Sequence, residues 1–138
     1  MRRFNSYSEL KECFNDLVLS NSSDLGLAPS EILFGTHKAK APYITTKYRP
    51  IDEMQSIGTG NLHKMLIYVV IVIGYQKDND LLEQALSKAS VIENICLANN
   101  FTYLGHQEGI TTDMLESDKQ TEYCLICECM AYYRNVKW

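Results

Sequence analysis

The apolar positions of the chain fall into two helical stripes and a set of alternating runs. Tyr7, Leu10, Phe14, Leu17 and Val18 recur at the spacing that places side chains on one face of a helix. Ser6, with Glu9 three positions later, supplies a capping box at its start, and Asn21-Ser22-Ser23-Asp24 ends it. A second stripe passes through Leu81, Leu82, Ala85, Ala89, Ile92, Ile95 and Cys96 over residues 80–98. Asp78 or Asn79 is its expected N-cap and Asn99-Asn100 its stop. Residues 62–75 form the strongest strand. Leu66, Tyr68, Val70 and Val72 alternate there with Met65, Ile67, Val69, Ile71 and Ile73, so both faces are apolar and both need cover.

Weaker runs complete the pattern. Residues 42–48 read as a strand opening on Pro42, where a missing N–H does least harm, and 101–108 and 123–134 read as two more. Ile32-Leu33-Phe34 is a short apolar patch in the loop-like stretch 25–41, fit for an edge strand or a single helical turn. Residues 49–61 read as a long connection with Gly58 and Gly60, of the kind that makes contacts. The order helix, two or three strands, helix, two strands predicts one α+β domain over residues 1–138. Its sheet is mostly antiparallel and curved, with about four or five strands and two helices packed on one face. Two helices on one face leave the other side of the central strand to be closed by curvature, by loops or, as the favoured expectation, by another subunit.

Composition narrows the function classes. The chain has 138 residues, 46% hydrophobic and 22% charged, which suits a folded domain and not a disordered one. A net charge of −4 gives no electrostatic basis for gripping nucleic acid, although it suits a conduit that DNA passes through. The basic start Met1-Arg2-Arg3 turns polar at once, so no signal peptide is expected. The apolar run 65–75 is far shorter than the roughly 20 residues of a membrane helix. Five cysteines without a secretion signal read as reduced thiols.

The candidate chemistry is thin. Cys124-Leu125-Ile126-Cys127 has the spacing of zinc and redox sites, but in a strand residues three apart face opposite ways. Cys127 and Cys129 share a face without a histidine or second cysteine pair nearby in sequence, so the cysteines read as small core hydrophobes. His37, His63 and His106 share no ligand spacing, and a Cys127–His106 dyad has no local signature. Gly58-Thr59-Gly60-Asn61 precedes a strand and lacks a following Lys-Ser/Thr, so it reads as a turn and not a phosphate loop. Lys38, Lys40, Lys47 and Arg49 in one segment, against Asp113, Glu116, Asp118 and Glu122 in another, would make the domain electrostatically polar.

The layout resembles the tail terminator and tail-completion proteins of long-tailed bacteriophages. The likeness runs from the helix Leu10…Phe14…Leu17 through Ala41-Pro42-Tyr43-Ile44 and the strand Tyr68-Val69-Val70-Ile71-Val72-Ile73-Gly74-Tyr75. It continues through Asp78-Asn79-Asp80 and the amphipathic helix to Tyr123-Cys124-Leu125-Ile126-Cys127 and Tyr132-Tyr133-Arg134. Residues 25–40 depart from that pattern and gain no role from it. The resemblance implies a structural virion protein of the tail or neck, assembled in the host cytoplasm. Such a subunit forms a homo-hexameric ring that caps the tail tube and joins it to the head–tail connector and neck proteins, with DNA passing through the lumen unread. It implies no catalysis, cofactor, metal or membrane. Under it, Met54, Gln55, Ile57, Gly58 and Gly60 would contact the tube or a neighbouring subunit, and Asp113, Glu116 and Asp118 would face the lumen or the next ring. The alternatives are a head-completion connector, which is often twelve-fold, and a small cytosolic ligand-binding module. An enzyme using Cys127 or His106 is the remaining class.

Overall fold

The computed structural model describes residues 3–35, 41–57, 60–74, 79–112 and 121–134. Along the chain run β1 (Arg3–Phe4), α1 (Tyr7–Ser20), the single turn α2 (Ser22–Leu25), a 3-10 turn (Pro29–Glu31) and β2 (Ile32–Phe34). Then come β3 (Tyr43–Ile57), β4 (Gly60–Gly74), α3 (Asn79–Ala98), β5 (Thr102–Thr112) and β6 (Thr121–Arg134). The long strands pair antiparallel in the order β5-β6-β4-β3. Two short strands pair in parallel: β1 with Tyr132 and Tyr133 beyond the end of β5, and β2 with Ile44, Thr45 and Thr46. The α+β class and the central place of β4 follow the apolar pattern of the sequence.

Both helices lie on one face of the sheet. Leu10, Phe14 and Val18 of α1 and Ala85, Ala89, Ile92, Ile95 and Cys96 of α3 share one buried cluster with Met65, Ile67, Val69, Ile71 and Ile73 of β4. Leu125, Cys127, Cys129 and Ala131 of β6 complete that layer. Phe14 sits in an aromatic group at its lower end. Its ring meets Phe101 edge-on at 5.0 Å and Tyr48 at 6.4 Å, and Phe4 lies 5.4 Å from Phe101. Such pairs add to the area they bury because ring edges meet ring faces. The Tyr48 hydroxyl bonds Asn15 and the Lys11 carbonyl, tying β3 to α1.

The helix ends explain their positions. Ser6 Oγ accepts the Glu9 N–H at 3.1 Å, whereas the Glu9 carboxylate accepts from Asn5 and not from the cap residue itself. Asn21 does end α1, its side chain donating to the Leu17 carbonyl at 2.7 Å, but the next residues wind into α2 and do not run on as loop. The Lys88 ammonium donates to the Leu25 carbonyl at 2.6 Å and so caps α2 from α3. Asn100, at φ 63°, ends α3 in the left-handed conformation, and the Phe101 N–H returns to the Cys96 carbonyl at 3.0 Å.

Three expectations change. Residues 49–57 and 60–61 are not loop: β3 continues to Ile57 and β4 begins at Gly60, so they belong to the distal part of a hairpin, while 58 and 59 lie outside the described residues. The polar residues and Pro50 hid it, and a register shift between Ile51 and Met54 breaks the alternation. The 25–41 stretch contains a 3-10 turn and β2, so the Ile32-Leu33-Phe34 patch is the edge strand of the two readings offered. The second face of β4 is closed at one end within the chain: Val70, Val72, Tyr43 and Cys124 are buried there, with Leu33, Ala41 and Ile126 packed against them. Subunit contact is therefore not needed along the whole face. The expected N-cap Asp78 and the strand end Tyr75 lie outside the described residues.

Removing Phe14 leaves a hole in the aromatic group that neighbouring rings cannot fill. Phe14→Ala is expected to lower unfolding free energy by about 3–5 kcal/mol in urea denaturation. Leu97→Ala, on a side chain 69% exposed, should change it by less than about 0.5 kcal/mol in dilute protein.

Candidate functional site

The cysteines sort by strand parity. The register pairs Cys124 with Val72 on the outward face, and Cys127 and Cys129 with Val69 and Ile67 under the helices. The two-residue spacing of Cys124 and Cys127 therefore cannot converge on one ion. Cys96 of α3 comes within 3.5 Å of Cys129, thiol to thiol. That thiol contact, together with burial, pushes the Cys129 thiol far up.

Cys127 and His106 are brought together. They are direct cross-strand partners between β6 and β5. The Tyr103 hydroxyl lies 3.1 Å from His106 Nδ1. Sequence spacing could not find this arrangement, because a register shift between Tyr103 and Gly105 returns both Tyr103 and His106 to the helix side. The result is a group of polar side chains: a buried thiol, a phenol and an exposed imidazole. Burial nonetheless pushes the Cys127 thiol up to about 11, against the opposing pull of the Tyr103 hydroxyl. The thiol is protonated at neutral pH, whereas a nucleophile needs the thiolate. Burial and the neighbouring Cys127 hold the Tyr103 phenol protonated as well. Tyr103 and His106 stand beside Cys127 where β5 meets β6, and a thiol held protonated is a weak nucleophile.

The outward face of the sheet is the larger feature. Leu66 and Tyr68 of β4 and Ile126 and Met130 of β6 alternate away from the helices and are half-buried. Around them on the same face stand Lys47 and Arg49 of β3, Lys64 of β4 and Glu128 of β6. Of the residues expected to contact the tube, Met54, Gln55 and Ile57 lie in the distal part of β3 and Gly60 opens β4, while Gly58 lies outside the described residues. Gly60 is the register partner of Ile57, and Leu62 of Gln55, so this set shares one hairpin end. Asp113, Glu116 and Asp118 lie outside the described residues, as do Lys38 and Lys40. Lys47 and Arg49 lie on β3 and Glu122 on β6, with β4 between the two strands.

The two sheet edges differ. Gly35 N–H donates to the Thr46 carbonyl at 2.9 Å, so the backbone of Thr46, and by the two-residue period that of Tyr48 and Pro50, points out of the β3 edge. Pro50 has no N–H to offer there, and the bulge follows at once. Both devices blunt an edge against strand addition. The outer edge of β5 carries no proline, and among the described residues no strand pairs with it.

No group of three or more His, Cys, Asp and Glu side chains among the described residues is placed to hold a metal ion. No helix among them is long and apolar enough to cross a membrane. No protein-family profile matches the chain, and no curated protein matches it in sequence.

Cys127 couples stability to alkaline pH. Its thiol loses its proton near 9 when unfolded but only at about 11 when folded, so the folded state binds the proton more tightly. Stability is full below pH 9 and falls as pH rises from 9 to 11, by about 2 kcal/mol for this group. Urea melts at pH 8 and pH 10.5 should show the loss, and Cys127→Ala should shrink the difference between them.

Proposed function

We propose that the chain is a structural subunit of a phage virion, forming a ring that caps the tail tube and joins it to the connector at the head. The observation that carries the reading is the outward face of the sheet. Leu66, Tyr68, Ile126 and Met130 are half-buried and apolar there, with Lys47, Arg49 and Lys64 at their margin and Glu128 set among them opposite Tyr68. An apolar centre with a charged margin is the make-up of a protein–protein contact, and it lies on the one face that no helix covers. The blunted β3 edge supports contact through this face and the hairpin end rather than by extending the sheet from β3. The order of elements supports the tail assignment: an N-terminal helix, a first strand, a strong central strand, an amphipathic helix and a closing strand pair, as the resemblance to the tail terminators has it, although the long loop of that pattern is here the end of a hairpin. A net charge of −4 suits a lumen that lets DNA pass without holding it.

In this reading Met54, Gln55, Ile57, Gly58 and Gly60 form the part of the hairpin that reaches the tube or the next subunit, and Asp113, Glu116 and Asp118 face the lumen or the adjoining ring. The subunit acts by shape and contact and needs no cofactor. Cys127, protonated and packed under α3, has a structural role only.

Electron microscopy of purified tail tubes mixed with the protein tests the reading. A six-fold ring at the tube end is expected, and deletion of residues 55–60, which shortens the hairpin, should abolish it while the protein still unfolds in one cooperative thermal transition. Tyr68→Glu, which puts a charge in the apolar band, should do the same. A twelve-fold ring would move the chain to the connector class. Bare tubes and a protein that stays monomeric at high concentration would overturn the proposal.

A further inference from the structure

The open edge of β5 reads nearly the same in both directions. Residues 104–110 run Leu-Gly-His-Gln-Glu-Gly-Ile, with an apolar residue, then glycine, then a basic or acidic group, on either side of Gln107. We propose that this edge pairs antiparallel with the same edge of a second copy of the chain, centred on Gln107, to make a two-fold dimer with one continuous sheet.

The register follows from the sequence. With Gln107 opposite its own counterpart, His106 stands opposite Glu108 and Gly105 opposite Gly109, where the register shift ends the regular run. Directly opposed residues of an antiparallel pair share a face. His106 and Glu108 both fall on the helix side in the β6 register and both are exposed, so each dimer gains two facing imidazole–carboxylate pairs. His106 Nδ1 is already engaged by the Tyr103 hydroxyl at 3.1 Å. An imidazole that accepts there carries its proton on Nε2, the nitrogen left to donate to the partner's carboxylate.

The glycines fit the same arrangement on the other face. Gly105, at φ 130°, takes up the register shift that a side chain would resist. A Cβ on Gly109 would stand 3.0 Å from Ile126 Cδ1 and 3.3 Å from Cys124 Sγ. Gly105 and Gly109 therefore meet across the two-fold as bare backbone, which leaves the approach of the second strand unobstructed.

A second observation points to the same side of the molecule. The exposed large hydrophobics among the described residues are Leu86, Leu97 and Leu104. Leu104 is on β5 itself. Leu86 and Leu97 lie on one stripe of α3 with Ser90 and Glu93, by helical spacing. Glu93 is close enough to Tyr103 and Cys127 for its charge to raise both groups, so that stripe overlooks β5. A two-fold axis normal to the sheet sets the α3 stripes of the two copies on the same side of the joined sheet, where Leu86 and Leu97 lose water contact. The opposite edge cannot substitute, because Pro50 lacks the N–H that a ladder there would need. The contact is isologous and closes at two copies, so it stands independently of the ring.

Cysteine cross-linking reads the register. In a Cys13→Ser background, Gln107→Cys places two thiols across the axis at a Cα separation of about 4.5–5.5 Å, inside disulfide reach. His106→Cys paired with itself is about 8 Å apart and outside it, by two residues of strand offset. Mild oxidation with glutathione disulfide should give more than half covalent dimer for Gln107→Cys. It should give little for His106→Cys or Glu108→Cys alone, and dimer again when those two are mixed. Wild-type protein should sediment as a concentration-dependent dimer. Glu108→His and His106→Glu should each weaken the dimer at least tenfold, and the double swap should restore it. Folded Gln107→Cys protein that stays uncross-linked, or cross-linking that ignores position, overturns the proposal. So does a double swap as weak as the single variants.

Discussion

β4 is hydrogen-bonded along both edges, to β3 over the whole hairpin and to β6 from Leu62 to Gly74. Its inward side chains, Met65 through Ile73, form the floor on which α1 and α3 sit. The rest of the fold depends on that strand. Because its register with β6 is fixed, Cys127, Cys129 and Leu125 reach the helices, while Cys124 and Ile126 face out. A slip of one residue would reverse every one of those positions. The single face covered by helices follows too, since both connections that carry a helix return to the same side.

The consequences for function run outward from that layer. The layer under the helices is filled by aliphatic and aromatic packing, and burial there holds the Tyr48 phenol and the Cys127 thiol protonated. What remains to act is the unsealed part: the apolar band around Leu66 and Tyr68, the distal hairpin, and the edge of β5. The two edges have opposite characters. Pro50 removes an N–H from one, whereas the other, although it has its own register shift at Gly105, presents a self-complementary run with exposed leucines beside it. On the proposed reading, it is through these described surfaces that the chain meets other proteins.

Much of this was legible from the sequence, and for clear reasons. The stripes through Leu10, Phe14 and Val18 and through Ala85, Ala89 and Ile92 are helical in period, and the double apolar face of β4 is self-announcing. The hairpin was not legible, because Arg49-Pro50-Ile51-Asp52-Glu53 alternates with neither period and its bulge absorbs two residues. β1 and β2 have two and three residues, too few for any pattern, and exist only because β6 and β3 offer them partners. The Tyr103–His106–Cys127 grouping required the β5–β6 register and its bulge. The residues assigned to the lumen, Asp113, Glu116 and Asp118, fall outside the described chain, and sequence remains the ground for their role.

Amide hydrogen exchange on dilute protein and on protein concentrated or bound to tubes tests the division between sealed core and assembly surfaces most directly. Amides of residues 67–71 and 125–129 should be strongly protected in both states, set by global unfolding. Amides of residues 105–109 should gain protection on concentration, and those of 54–57 and 60–62 on tube binding. Protection patterns that stay identical across the three samples, or fast exchange in residues 67–71, would contradict the account.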